Sequence, residues 1–167
     1  VSSSGTALTP DQITLIRRLT SNITMLFDGD KAGINATLRG IDIILSAGLN
    51  VKICSFPNGE DPDSYSQGKS KEEINDYLEK NSKDFIQYKA SILAQTSKED
   101  PILKSNTVNE IINSIARIPD RIKQEIYVKH CSTIMDVSED VLFNALAQKT
   151  KNEIHSISKK RIAKVHK

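Results

Sequence analysis

The chain has no tryptophan and only four tyrosines and four phenylalanines among its 167 residues. Tyr65, Tyr77, Tyr88 and Tyr127 are too scattered to predict a base-stacking platform, and they read as amphipathic residues at the edge of a core. There are two cysteines, Cys54 in an apolar strand-like run and Cys131 in a helical one. Lacking Cys-x-x-Cys spacing, they exclude a disulfide framework and a thiolate metal site, and they read as buried free thiols in a reducing compartment. Of the three histidines, His130 sits in a helical pattern as a packed or half-exposed side chain, while His155 and His166 lie in a basic tail. No Ser-His-Asp or Cys-His arrangement can be built from them. No stretch approaches the roughly 18 apolar residues of a membrane span and no charged-then-apolar leader opens the chain, so a cytoplasmic location without membrane contact is expected. Neither sign of charge dominates, since 23 basic residues stand against 21 acidic ones. Any contact with nucleic acid must therefore be local.

What the chain does have is a clear grammar of elements. Thr9-Pro10-Asp11-Gln12 predicts a helix start, with Thr9 as N-cap, Pro10 at the first helical position and Gln12 closing a capping box. Ile13, Leu15, Ile16 and Leu19 extend the expected apolar stripe to about Ser21. A buried strand is expected over 23–27, and a helix over 31–47 carries Ile34, Leu38, Ile41 and Leu45 with Gly48 as its stop. A second strand follows over 51–56. Strand, helix, strand at this length is a βαβ unit, which favours a parallel sheet. Beyond Tyr65 no further strand pattern is read. Capping signals at Ser70 and Asp100-Pro101, and apolar stripes through Ile111, Ile115, Val141 and Leu142, predict a helical bundle. The expected organisation is an α/β part over 1–67, a helical part over 68–150, and a basic segment over 151–167. That last segment fits a linker, a partner-docking helix or a basic arm on nucleic acid.

Two acidic clusters sit where such a sheet binds ligands. Asp28-Gly29-Asp30-Lys31-Ala32-Gly33 follows the first strand and Gly59-Glu60-Asp61-Pro62-Asp63 follows the second, and ligands of open α/β sheets lie beyond the carboxyl ends of strands. Hard cations such as Mg²⁺ take oxygen ligands, so Asp28, Asp30, Asp61 and Asp63 are candidate metal ligands for phosphoryl chemistry. The plainer reading of the second cluster is a loop of good turn formers. An EF-hand is excluded, because its fifth and twelfth positions would be Ala32 and Arg39. A dinucleotide-binding fold is excluded by the lack of a Gly-rich turn of the required spacing. Pro62 favours an extended backbone at Asp61 and stiffens the cluster.

Gly5-Thr6-Ala7-Leu8-Thr9, Asp28-Gly29-Asp30-Lys31-Ala32-Gly33 and Pro57-Asn58-Gly59-Glu60-Asp61-Pro62-Asp63, in this order and spacing, resemble the Toprim domain of bacterial DnaG-type DNA primases. Ile118-Pro119-Asp120-Arg121-Ile122 through Glu125-Ile126-Tyr127 resembles the helical end of their RNA polymerase domain. The resemblance implies a Toprim-like α/β part followed by an α-helical bundle. It also implies that Asp28, Asp30, Asp61 and Asp63 bind Mg²⁺ or Mn²⁺ and join ribonucleoside triphosphates into RNA primers on a single-stranded DNA template. Ser4, Gly5 and Thr6 would form a strand-to-helix turn near that site, and Lys31 is left without a role. The resemblance departs at the ends. The family's essential Glu, in a Glu-Gly-Tyr-x-Asp type motif, its zinc-binding domain and its helicase-binding domain are not recognised here, and Val1 begins in what reads as a strand. A piece of a longer primase is expected, inactive alone, with zinc confined to the missing amino-terminal domain and the replicative helicase bound through a missing carboxy-terminal one. The alternatives are a Toprim nuclease or topoisomerase relative, and a non-catalytic helicase-docking module.

Overall fold

The elements begin where side chains can cap them. In the computed structural model, which describes residues 8–27, 31–57, 60–96 and 100–165, helix α1 (Pro10–Arg17) opens with the expected reciprocal box: Thr9 Oγ1 accepts from Gln12 N at 3.3 Å and Gln12 Oε1 from Thr9 N at 3.0 Å. The helix stops earlier than its apolar spacing predicts, with Leu19 beyond its end 88% exposed, and Leu15 within it lies on the outer face, 61% exposed. Thr20 explains the stop: its hydroxyl accepts from Asn22 N and donates to Asn22 O, closing a turn in place of another helical one.

Strand β1 (Asn22–Phe27), helix α2 (Lys31–Ser46) and strand β2 (Asn50–Ser55) form the βαβ unit, with β1 and β2 parallel from Asn22 opposite Asn50 to Phe27 opposite Ser55. Helix α2 ends in a Schellman turn: Gly48, at φ +78°, donates to Leu45 O, and Leu49 N reaches back to Ile44 O. A Cβ at Gly40 would stand 2.6 Å from Met25 Cε, so the end of the Met25 side chain fills the space that the missing Cβ leaves on α2.

After a short helix α3 (Pro62–Ser66) comes α4 (Lys71–Asn81), capped by the expected Ser70 and Glu73 box. The reading that no strand follows Tyr65 is corrected here. Lys83–Asp84 forms β3, antiparallel to β2, with Lys52 opposite Asp84 and Ile53 opposite Lys83. Two residues carry no alternation, so only the partner strand defines them. The sheet, in order β1-β2-β3, is thus mixed, around a parallel pair.

Helices α5 (Phe85–Thr96), α6 (Pro101–Ala116), α7 (Arg121–Met135) and α8 (Glu139–Val165) complete the described chain. Asp100 and Asp120 cap α6 and α7, and Asp136 in the left-handed region at φ 51° ends α7. Helix α8 passes through position 150 without a break, consistent with a stretch that contains neither Gly nor Pro. The side chains from residue 153 onward, including the basic tail, lie outside the described set. One core joins both halves: Ile41, Leu45 and Ile53 belong to the same buried cluster as Phe85, Ile112, Val128 and Leu142. Cys54 and Cys131 are both buried within this body, as expected. Among the described residues no helix is long and apolar enough to cross a membrane.

Candidate metal site at the strand ends

Because Phe27 and Ser55 are register partners, β1 and β2 end side by side, about 4.8 Å apart as neighbouring strands are. Each acidic cluster departs from one of these two ends. Asp28 and Asp30 lie outside the described residues, as do Ser4, Gly5 and Thr6, Asn58 and Gly59, and the side chain of Lys31.

Asp61 and Asp63 are described, on an exposed turn beyond β2. The chain does not stay a loop there. Asp61 keeps the extended backbone that Pro62 favours, at φ −84° and ψ 165°, and becomes the N-cap of α3 with Pro62 at its first position. Its Oδ1 accepts from Ser64 N at 2.7 Å, while Ser64 Oγ accepts from Asp61 N and donates to Asp61 O, both at 3.1 Å. Ser64 thereby grips Asp61 at its side chain, its amide and its carbonyl. The hydrogen bond from the Ser64 amide is the first cause that holds the Asp61 carboxyl below the ordinary carboxylate range, and the Asp63 amide adds to it. Asp61 is therefore anionic at neutral pH. Asp63 lies exposed one position into the helix, its carbonyl accepting from Ser66 Oγ at 2.8 Å.

The donor set suits a hard cation. Oxygen is the only donor type that the two clusters supply, and the nearby Cys54 thiol is buried and pushed up in pKa by that burial. Among the described residues no group of three or more His, Cys, Asp or Glu is assembled to hold a metal. The structure brings Asp61 and Asp63 onto one turn, and that is the extent of the described site. Sequence reasoning missed Ser64, although Asp61-Pro62-Asp63-Ser64 is a capping signal that could have found it. It also treated the tyrosines as scattered, whereas Phe56, Tyr65 and Tyr77 gather beside this turn.

A Toprim-like family model matches residues 1–66, and a model described as the DnaB-helicase binding domain of primase matches residues 91–140. The second match runs from the latter half of α5 through α6 and α7 to the start of α8, within the helical half. A DNA primase of Staphylococcus aureus is 34% identical over 146 residues, covering 87% of this chain and 24% of the relative. The fold is shared with a DNA primase domain from Pseudomonas aeruginosa, at a TM-score of 0.69 and 22% identity over 86% of this chain and 46% of that one. It is shared also with a DnaG primase catalytic domain bound to single-stranded DNA, at a TM-score of 0.67 and 22% identity over 83% of this chain and 45% of that one. The chain spans about a quarter of the length of the curated relatives it matches. With a Toprim-like segment, a helical segment matched by a primase model and identity to a primase over 87% of its length, the chain corresponds to a fragment of the bacterial DnaG-type DNA primases.

Proposed function

We propose that this chain supplies the metal-binding part of a primase that joins ribonucleoside triphosphates into a short RNA primer on a single-stranded DNA template. The observation that carries this reading is the in-register ending of β1 and β2, with an acidic cluster leaving each end. Asp28, Asp30, Asp61 and Asp63 would hold Mg²⁺ or Mn²⁺. Such a cation neutralises triphosphate charge and favours attack of a 3′-hydroxyl on the α-phosphate. Asp61, fixed by Ser64 and ionised, offers a held carboxylate, and Asp63 offers a freer one on the same turn. In this reading residues 1–67 are the Toprim portion, 68–150 the helical subdomain and 151–167 a basic extension, in a cytoplasmic protein.

Mn²⁺ titration of the chain is expected to broaden the amide signals flanking Asp28 and Asp61 together, and Asp61→Asn is expected to weaken the response about tenfold or more. Broadening of one cluster without the other would sink the shared site.

The replicative helicase is proposed as a partner, because the model describing a helicase-binding domain of primase matches across α6 and α7. Ile122 and Ile126 stand one turn apart on α7, 73% and 60% exposed, and offer the apolar centre such a contact needs. Changing both to serine touches no described core residue and is expected to weaken helicase binding about tenfold. Unchanged affinity in a direct binding measurement would remove this face from the contact.

A further inference from the structure

Helix α3 is too short to hold itself. Isolated helices below roughly a dozen residues are marginal in water, and α3 has five residues, none of them fully buried. Its capping box fixes Asp61 to Ser64 locally but does not fix the turn to the sheet. That link is aromatic. The Tyr65 ring, the only ring on α3, lies 4.7 Å from the ring of Phe56, the residue that follows β2, and 4.6 Å from that of Tyr77 on α4. Phe56 and Tyr77 stack at 5.7 Å with their planes 11° apart. Tyr77 Oη donates to Ser55 O at 3.0 Å, which ties the cluster to the last residue of β2, the register partner of Phe27. From the far side, Lys69 Nζ sits 3.8 Å above the Tyr65 ring and donates to Tyr65 O at 2.8 Å, closing the end of α3.

We propose that Phe56, Tyr65 and Tyr77 form an aromatic clamp that sets the position of Asp61 and Asp63 relative to the strand ends, with Tyr65 and Tyr77 acting as positioning residues for the metal site. The inference rests on the metal-binding reading above and adds to it the device that holds one half of the ligand set. Tyr65 follows the gripping Ser64 directly, so a displaced ring moves the grip itself. Tyr77 carries the position of the β2 end into the cluster through one hydrogen bond. Lys69 adds a cation over the Tyr65 ring and a bond to the Tyr65 carbonyl, so the ring and the end of α3 are held by the same side chain.

The test uses the whole chain with Mn²⁺ as probe, followed by amide broadening near Asp61 and by hydrogen exchange of the Ser64 amide. Tyr65→Ala is expected to weaken Mn²⁺ binding about tenfold, as loss of a group that supports a metal ligand does, and to speed exchange at Ser64 while the melting temperature holds. Tyr65→Phe restores both, because it keeps the ring. Tyr77→Phe keeps its ring but loses the bond to Ser55 O, and is expected to fall between the two. Wild-type Mn²⁺ affinity in Tyr65→Ala, with binding lost in Asp61→Asn, would overturn the clamp and leave the metal site standing. A Mn²⁺ response absent from the wild type, or undiminished in Asp61→Asn, would overturn the metal reading and the positioning role with it.

Discussion

Phe85→Ala is expected to cost about 4 kcal/mol of folding stability, the range found when a fully buried aromatic ring is truncated. Phe85 is 0% exposed and opens α5 immediately after β3. Its ring meets that of Tyr127 on α7 at 4.9 Å with the planes 58° apart. One side chain thus ties the start of α5, directly after β3, to the middle of α7 within the shared core, and its removal leaves a void there. Domains of this size are stable by about 5–15 kcal/mol, so the variant should stay folded at low temperature. With a urea dependence of about 2 kcal/mol per molar, its unfolding midpoint should fall by about 2 M. Phe85→Leu keeps most of the volume and should cost about 1.5 kcal/mol or less. An alanine variant within 1 kcal/mol of wild type would show that this ring does not hold α5 to α7. The consequence reaches the candidate site, since β3 pairs with β2 and the Asp61 turn leaves the end of β2.

What the sequence made legible is what short-range chemistry decides. The boxes at Thr9 and Ser70 and the cap at Asp100 are each contained within four residues, and all three appear where the spacing places them. The two principal strands were legible for the same reason, as short apolar runs stopped by turn formers. The candidate ligands were legible as Asp-rich turns after those runs, and the flanking strings that resemble primase gave the family. The missed features depend on partners distant in the chain. Strand β3 exists because Lys52 and Ile53 offer a ladder to Lys83 and Asp84. Leu15 and Leu19 fit a helical stripe, yet no described element covers them, and Thr20 turns the chain first. His130, read as packed or half-exposed, pairs with Asp84 at 2.7 Å across 46 residues, which no spacing rule could reveal. The aromatic clamp likewise unites positions 56, 65 and 77, which share no helical face in sequence.

Asp42→Ala is expected to be the most damaging polar substitution, for a reason also hidden from sequence spacing. Lys89 is only 6% exposed, and its Nζ donates to Ser114 Oγ at 2.8 Å and to Glu110 O at 3.3 Å. Ser114 Oγ in turn donates to Asp42 Oδ1 at 2.7 Å, and Arg117 Nε meets Asp42 Oδ2 at 3.2 Å. One relay therefore joins α2, α5 and α6, and Asp42 is the acceptor at its end. Burial lowers the Lys89 pKa from its ordinary 10.5, and Asp42 and then Glu110 oppose that shift. Removing Asp42 strips the ammonium of its strongest opposing charge and leaves the Ser114 hydroxyl without its acceptor. Losing one partner of a buried charge pair costs about 3–5 kcal/mol, and because Asp42 is itself 30% exposed the expectation falls below that range, at about 2–3 kcal/mol. Lys89→Met should cost less, because it removes the desolvated charge and keeps the stem while Asp42 retains Arg117 and the Ser114 hydroxyl as partners. The pH dependence separates the two explanations. With its folded pKa depressed, Lys89 is protonated more in the unfolded chain than in the folded one at pH values between that pKa and 10.5. Wild-type stability should therefore rise with pH across that window relative to Lys89→Met, whose profile lacks this contribution. Equal losses in Asp42→Ala and Lys89→Met, with parallel pH profiles, would mean that Asp42 acts by packing rather than by compensating a buried ammonium.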